Sequence, residues 1–122
     1  MSPASSPQSS FQYLNVAQSL ENVGDVSALA EMLLMLQEVL ARDLPLIGQH
    51  MDEQDFPAAQ QLLHSLKGCI PIFCTTALCE ELLLVEQLSK SSAPQASAPA
   101  YGLLRVKLDA LRSEIAIQVG AY

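Results

Sequence analysis

One apolar stripe constrains this chain more than any other feature. Val26, Leu29, Leu33, Leu36, Leu40, Leu44, Ile47 and Met51 step by three or four residues. That spacing lays side chains along one face of an α-helix, here for about seven turns. A helix with one such face must bury it against other elements. Pro45 stands inside the stripe. It has no N–H and its ring crowds the preceding turn, so it is expected to kink or divide the helix.

Other segments repeat the theme. Phe11, Leu14, Ala17 and Leu20 predict a short first helix, broken at Asn22-Val23-Gly24-Asp25. Gly24 can take positive φ there, and Asp25 can accept from the free N–H groups of the next helix. Asp55 is a good N-cap for a third helix, with Pro57 tolerated in its first turn. The apolar side of that helix is Ala59, Leu62, Leu63, Leu66, Cys69, Ile70 and Phe73; its other side is Gln60, His64, Lys67 and Gly68. Pro71 is expected to limit or bend it. Thr75 or Thr76 caps a fourth helix carrying Leu78, Leu82, Val85 and Leu88. Residues 89–100, rich in Ser, Ala and Pro, read as a flexible loop. Leu104, Leu108, Leu111, Ile115 and Val119 mark a fifth helix. Residues 1–10 carry no charge and read as a flexible tail, and residues 11–120 as a single domain. No strand alternation or internal repeat stands out. The expected fold is all-α: an antiparallel up-down four-helix bundle with an additional short N-terminal helix.

Composition narrows the partners. The formal net charge is −7, which argues against nucleic acid and anionic membrane surfaces. No apolar run approaches the roughly 18 residues of a membrane span. The start of the chain lacks a basic stretch followed by an apolar core, so no signal peptide is expected. Three cysteines with no C-x-x-C spacing fit a reducing, cytoplasmic setting. Cys69, Cys74 and Cys79 are five residues apart, so each turns about 140° from the last around a helix. They do not converge, no metal is expected, and they read as small buried hydrophobes. Glu80, Glu81 and Glu86 on the fourth helix read as a solvated face. His50, near the end of the long helix, suits the C-terminal dipole and is given no further role.

His64, Lys67 and Gly68 form the informative group. Residues three and four apart on a helix are neighbours. Imidazole, ammonium and bare glycine backbone therefore share one face, turned away from the leucines. Lys67 is the only formally charged residue between Phe56 and Cys79. A neutral imidazole is a nucleophile near its ordinary pKa of about 6.5, and a transferring phosphoryl group needs a positioned cation. Glycine inside a helix costs about 1 kcal/mol against alanine, a cost that close approach of a partner would explain. No phosphate-binding G-x-x-x-x-G-K-[ST] loop is present, so the phosphate has to come from another protein. The plain alternatives are an ordinary surface histidine, and a helix stop at Gly68 and Pro71.

His64-Ser65-Leu66-Lys67-Gly68-Cys69 resembles the H-S-L-K-G-S/A core of histidine-containing phosphotransfer (HPt) domains. Gly24-Asp25, Asp55-Phe56, Leu78 and Val85-Glu86 extend the resemblance over residues 20–88. The resemblance implies a four-helix bundle in which His64 accepts a phosphoryl group on Nε2, Lys67 steadies its oxygens and Gly68 leaves room for a docking receiver domain. It implies no kinase activity and no cofactor on this chain, since the receiver supplies the aspartate and Mg²⁺. The partners implied are response-regulator receiver domains or a hybrid sensor kinase. Gln60 and Gln61, beside His64, are the candidates for partner discrimination, and a monomer is expected. The sequence departs from the family after the motif, where Ile70-Pro71-Ile72-Phe73-Cys74 replaces small residues and a glycine. That departure motivates a second reading, a degenerate HPt-like module that binds a partner without carrying phosphate. A third is a helical scaffold or a module of a larger sensor kinase, although a chain opening on Met1 suggests a whole small protein.

Overall fold

A computed structural model describes residues 11–122, and the tail expected over residues 1–10 lies outside the described residues. Five helices follow one another: α1 (Val16–Val23), α2 (Val26–Asp52), α3 (Phe56–Phe73), α4 (Thr76–Ser89) and α5 (Ser97–Ala121). There is no strand among the described residues; Leu14 and Cys74 form an isolated bridge. Helices α2 to α5 pack as a ring, α2 on α3, α3 on α4, α4 on α5 and α5 back on α2, while α1 lies across α2 and α3. This is the expected up-down bundle. Its core is the expected set of stripes: Leu29, Leu33, Leu40, Leu44 and Ile47 of α2 face Leu63, Leu66 and Ile70 of α3, Leu82 of α4, and Leu104, Leu108, Leu111 and Ile115 of α5, all fully buried. Each such side chain contributes about 1.5–3 kcal/mol on leaving water.

Caps set the helix starts. Asn15, Asp25 and Asp55 each accept from a backbone N–H three residues on. Gly24, at φ 88°, ends α1 in the left-handed region that glycine occupies without strain.

Three expectations change, and one alternative falls away. Phe11 and Leu14 do not belong to α1. The chain bends there without coiling, and Gln12, Tyr13 and Leu14 donate their N–H groups to the Glu114 carboxylate at 2.9, 3.1 and 2.9 Å. Pro45 does not divide α2. The helix runs through it, and the Leu44 carbonyl beside it accepts from Tyr101 Oη at 2.7 Å and Arg105 Nη1 at 3.2 Å, both on α5. Nor do Gly68 and Pro71 stop α3, which continues to Phe73. Its last carbonyls are capped by α1: Pro71 O accepts from Gln18, Ile72 O from Asn22, and Phe73 O from Ser19 Oγ and the Asn15 N–H. A helix end supplied with donors from outside tolerates a proline in its final turn. Finally, the loop over residues 89–100 is shorter than expected. A single 3-10 turn at Pro94–Ala96 leads into α5, which takes up Pro99 in its first turn, where no N–H partner is needed.

Candidate functional site

His64 and Lys67 stand on the side of α3 that meets α4. The His64 side chain is 63% exposed and that of Lys67 33%. Gly68 turns outward, with nothing within 4 Å of where a Cβ would sit. No internal packing therefore requires a glycine at this position. Gln61 is exposed beside it, whereas Gln60 is half-buried against α4.

The group facing them is Glu86 of α4. Expected on a solvated face, it is instead fully buried. The reason is its register: Glu86 lies four residues after Leu82 and next to Val85, on the side of α4 that faces inward. A buried carboxylate needs partners, and Glu86 has four. Gln60 Nε2 donates to its Oε2 at 2.7 Å, and His64 Nδ1 lies 3.1 Å from the same oxygen. Lys90 Nζ, one turn further along α4, is 3.5 Å from Oε2. Lys67 Nζ is 3.0 Å from Oε1, an ion pair off the hydrogen-bonding direction that leaves Oε1 without an aligned donor among the described residues. Burial works to raise the Glu86 pKa. The hydrogen bonds from Gln60 and His64 and the close positive charge of Lys67 outweigh it and hold the carboxyl at about 2.

An ionised carboxylate only accepts hydrogen bonds, so the His64 nitrogen facing Glu86 carries the proton. The neutral ring then has its lone pair on Nε2, on the exposed edge. The result is a nucleophilic nitrogen in solvent, its tautomer fixed from behind, with two ammonium groups alongside.

The sequence model of the Hpt domain family matches residues 31–114 of the 122. The chain belongs to the Hpt domain family. In this Hpt domain the matched span runs from α2 into α5 and takes in His64, Lys67, Gly68 and Glu86. Comparison with curated proteins gave no match, and neither did comparison with solved structures.

The structure brings His64, Lys67 and Gln60 together on one carboxylate and places Gly68 and Gln61 on the open face. Sequence reasoning missed the part played by Glu86 and overlooked Lys90. For Glu86 the signal was present: its spacing from Leu82 put it on the apolar side, and an apolar-Glu pair at that point belonged to the family resemblance. Lys90 follows from Glu86 by i,i+4 spacing. No cluster of His, Cys, Asp and Glu side chains among the described residues is arranged to hold a metal. Cys74 is buried, which pushes its thiol far above the ordinary range, and Cys69 and Cys79 are half-buried. No described helix is long and apolar enough to cross a membrane.

Proposed function

We propose that this Hpt domain is the histidine carrier of a two-component phosphorelay, exchanging a phosphoryl group between His64 and the aspartate of a receiver domain. The observation that supports this best is the His64–Glu86 contact, which in the neutral ring holds the proton on Nδ1 and so puts the lone pair on Nε2 of a largely exposed side chain. In the forward step the Nε2 lone pair attacks the phosphorus of the receiver's aspartyl phosphate. The N–P bond forms, the P–O bond to the aspartyl oxygen breaks, and that electron pair leaves with the aspartate. The Nδ1 proton stays where it is. The imidazole gains positive character as the bond forms, and the Glu86 carboxylate stabilises it. Lys67, not committed to an aligned hydrogen bond, is free to turn to the phosphoryl oxygens, and Lys90 adds a second positive charge nearby. The return step is the same path reversed.

Mg²⁺ would sit with the receiver's acidic groups, and this chain would act without kinase activity, as a cytosolic monomer. The alternative of a binding module without phosphate drew on Pro71. That residue lies about two turns beyond His64, at the far end of an intact α3.

The test is transfer from a panel of ³²P-labelled receiver domains with Mg²⁺, to wild type and to His64→Gln. Acid-labile label on wild type alone is the expected result. Equal label on both proteins, or none across the panel with a folded chain, would overturn the proposal.

A further inference from the structure

Asp43 is a buried carboxylate, its side chain 3% exposed. Among the described residues its only hydrogen bonds come from the residue beside it: Arg42 Nε at 2.8 Å and Arg42 Nη2 at 3.4 Å. Both residues stand on α2, so the pair ties no two elements together. Burial of a carboxylate is costly, and an ion pair within one helix returns little of that cost in fold stability. What the pair does fix is a direction. Arg42 is 68% exposed, and its Nε and Nη2 are held on the buried Asp43 carboxylate, which leaves its remaining N–H donors without a partner among the described residues.

That direction meets the site. Helices α2 and α3 run antiparallel about the turn at 53–55, and Leu36 and Val39 of α2 line one groove with Cys69, Ile72 and Phe73 of α3. One turn beyond Val39, Asp43 comes level with Ser65 and Leu66. Around α3, successive residues turn by about 100°, so Lys67 points to the α4 side, Gly68 outward and Cys69 to the α2 side. Arg42 therefore stands across Gly68 from Lys67. Gly68 lies bare between them.

We propose that Arg42, aimed by Asp43, is a second docking cation of this site, selecting receiver domains that carry a carboxylate on the flank that meets α2. The inference rests on the phosphotransfer reading of His64. An arginine suits the task because its planar fork binds a carboxylate in a fixed orientation, and here that fork is oriented before the partner arrives. Asp43 is a positioning residue that acts through Arg42.

The experiment takes the receiver that labels wild type fastest and measures phosphotransfer by rapid quench at varied receiver concentration and salt. Arg42→Ala is expected to raise KM about tenfold, leave kcat within about twofold and flatten the salt dependence. Arg42→Lys should fall between, keeping the charge and losing the fork. Asp43→Asn, close to isosteric, should raise KM less than Arg42→Ala does. Glu38→Ala, an exposed charge change one turn away on α2, should leave both constants unchanged. A wild-type KM and salt dependence in Arg42→Ala, or a loss confined to kcat, would overturn the inference while leaving the His64 reading intact. A wild-type chain that takes no label would overturn both.

Discussion

Glu86 Oε2 lies 3.1 Å from His64 Nδ1 across the interface of α3 and α4, and the carboxylate is fully buried while the imidazole is mostly exposed. The asymmetry decides how each partner responds to substitution. Removing Glu86 releases groups that water can solvate. Removing a cation leaves a buried charge short of compensation.

Glu86→Gln is expected to preserve the bundle and slow phosphotransfer by about 10- to 100-fold, because an amide can present its NH₂ to Nδ1 and select the wrong tautomer. Single-turnover transfer from a labelled receiver measures the rate. Nitrogen-15 NMR of the imidazole reads the tautomer directly, and an unchanged Nδ1–H signal together with an unchanged rate would count against this role.

Lys67→Met is expected to destabilise the fold by about 1–3 kcal/mol, and Lys90→Met by about 1 kcal/mol or less. Lys67 is the less exposed and closer cation, at 3.0 Å against 3.5 Å. Urea unfolding of the two variants side by side gives the ordering.

The Glu86 carboxyl is held at about 2 in the folded chain, against an ordinary value of 4.5. A carboxylate depressed by folding contributes stability that is fully present above its unfolded value. That contribution is lost as pH falls through the folded one. Wild type should therefore lose part of its stability between about pH 4.5 and 2, and Glu86→Gln should show a shallower fall over the same window. Thermal midpoints across that range decide it; parallel curves would argue that Glu86 is not the titrating group.

Gly68→Ala should stabilise the bundle by up to about 1 kcal/mol, since the position is helical and open, yet reduce transfer by crowding the docking face. Opposite signs in unfolding and in transfer distinguish a glycine kept for a partner from one kept for packing.

Glu114→Ala is expected to cost about 1–3 kcal/mol, because three backbone donors at Gln12, Tyr13 and Leu14 lose their acceptor. Hydrogen exchange at those three amides should rise well before exchange in α2 to α5 changes.

The bundle was legible because its information is periodic. The stripes of α2, α3 and α5 could be followed residue by residue, and local capping at Asp25 and Asp55 marked where helices begin. What escaped was set by residues distant in sequence. The bent run before Asn15 is held by Glu114, a hundred positions away from Leu14. The end of α3 just past Pro71 is capped by donors from α1, and the Leu44 carbonyl beside Pro45 takes donors from Tyr101 and Arg105. Within the site, the hexapeptide showed His64, Lys67 and Gly68. Glu86 was assigned to solvent because charge was weighed above register.

The Glu114 clasp also bears on the order in which the molecule assembles. Contacts between α2 and α3, or between α3 and α4, close short loops and form early at small entropic cost. The grip of Glu114 on residues 12–14 spans up to 102 positions, the longest separation bridged by a side-chain hydrogen bond among the described residues, and its acceptor belongs to α5. Residues 12–14 are thus expected among the last to settle in folding. The donors of α1 reach the end of α3 across only 50 to 53 residues, so closure of the helix carrying His64 is expected before residues 12–14 find Glu114.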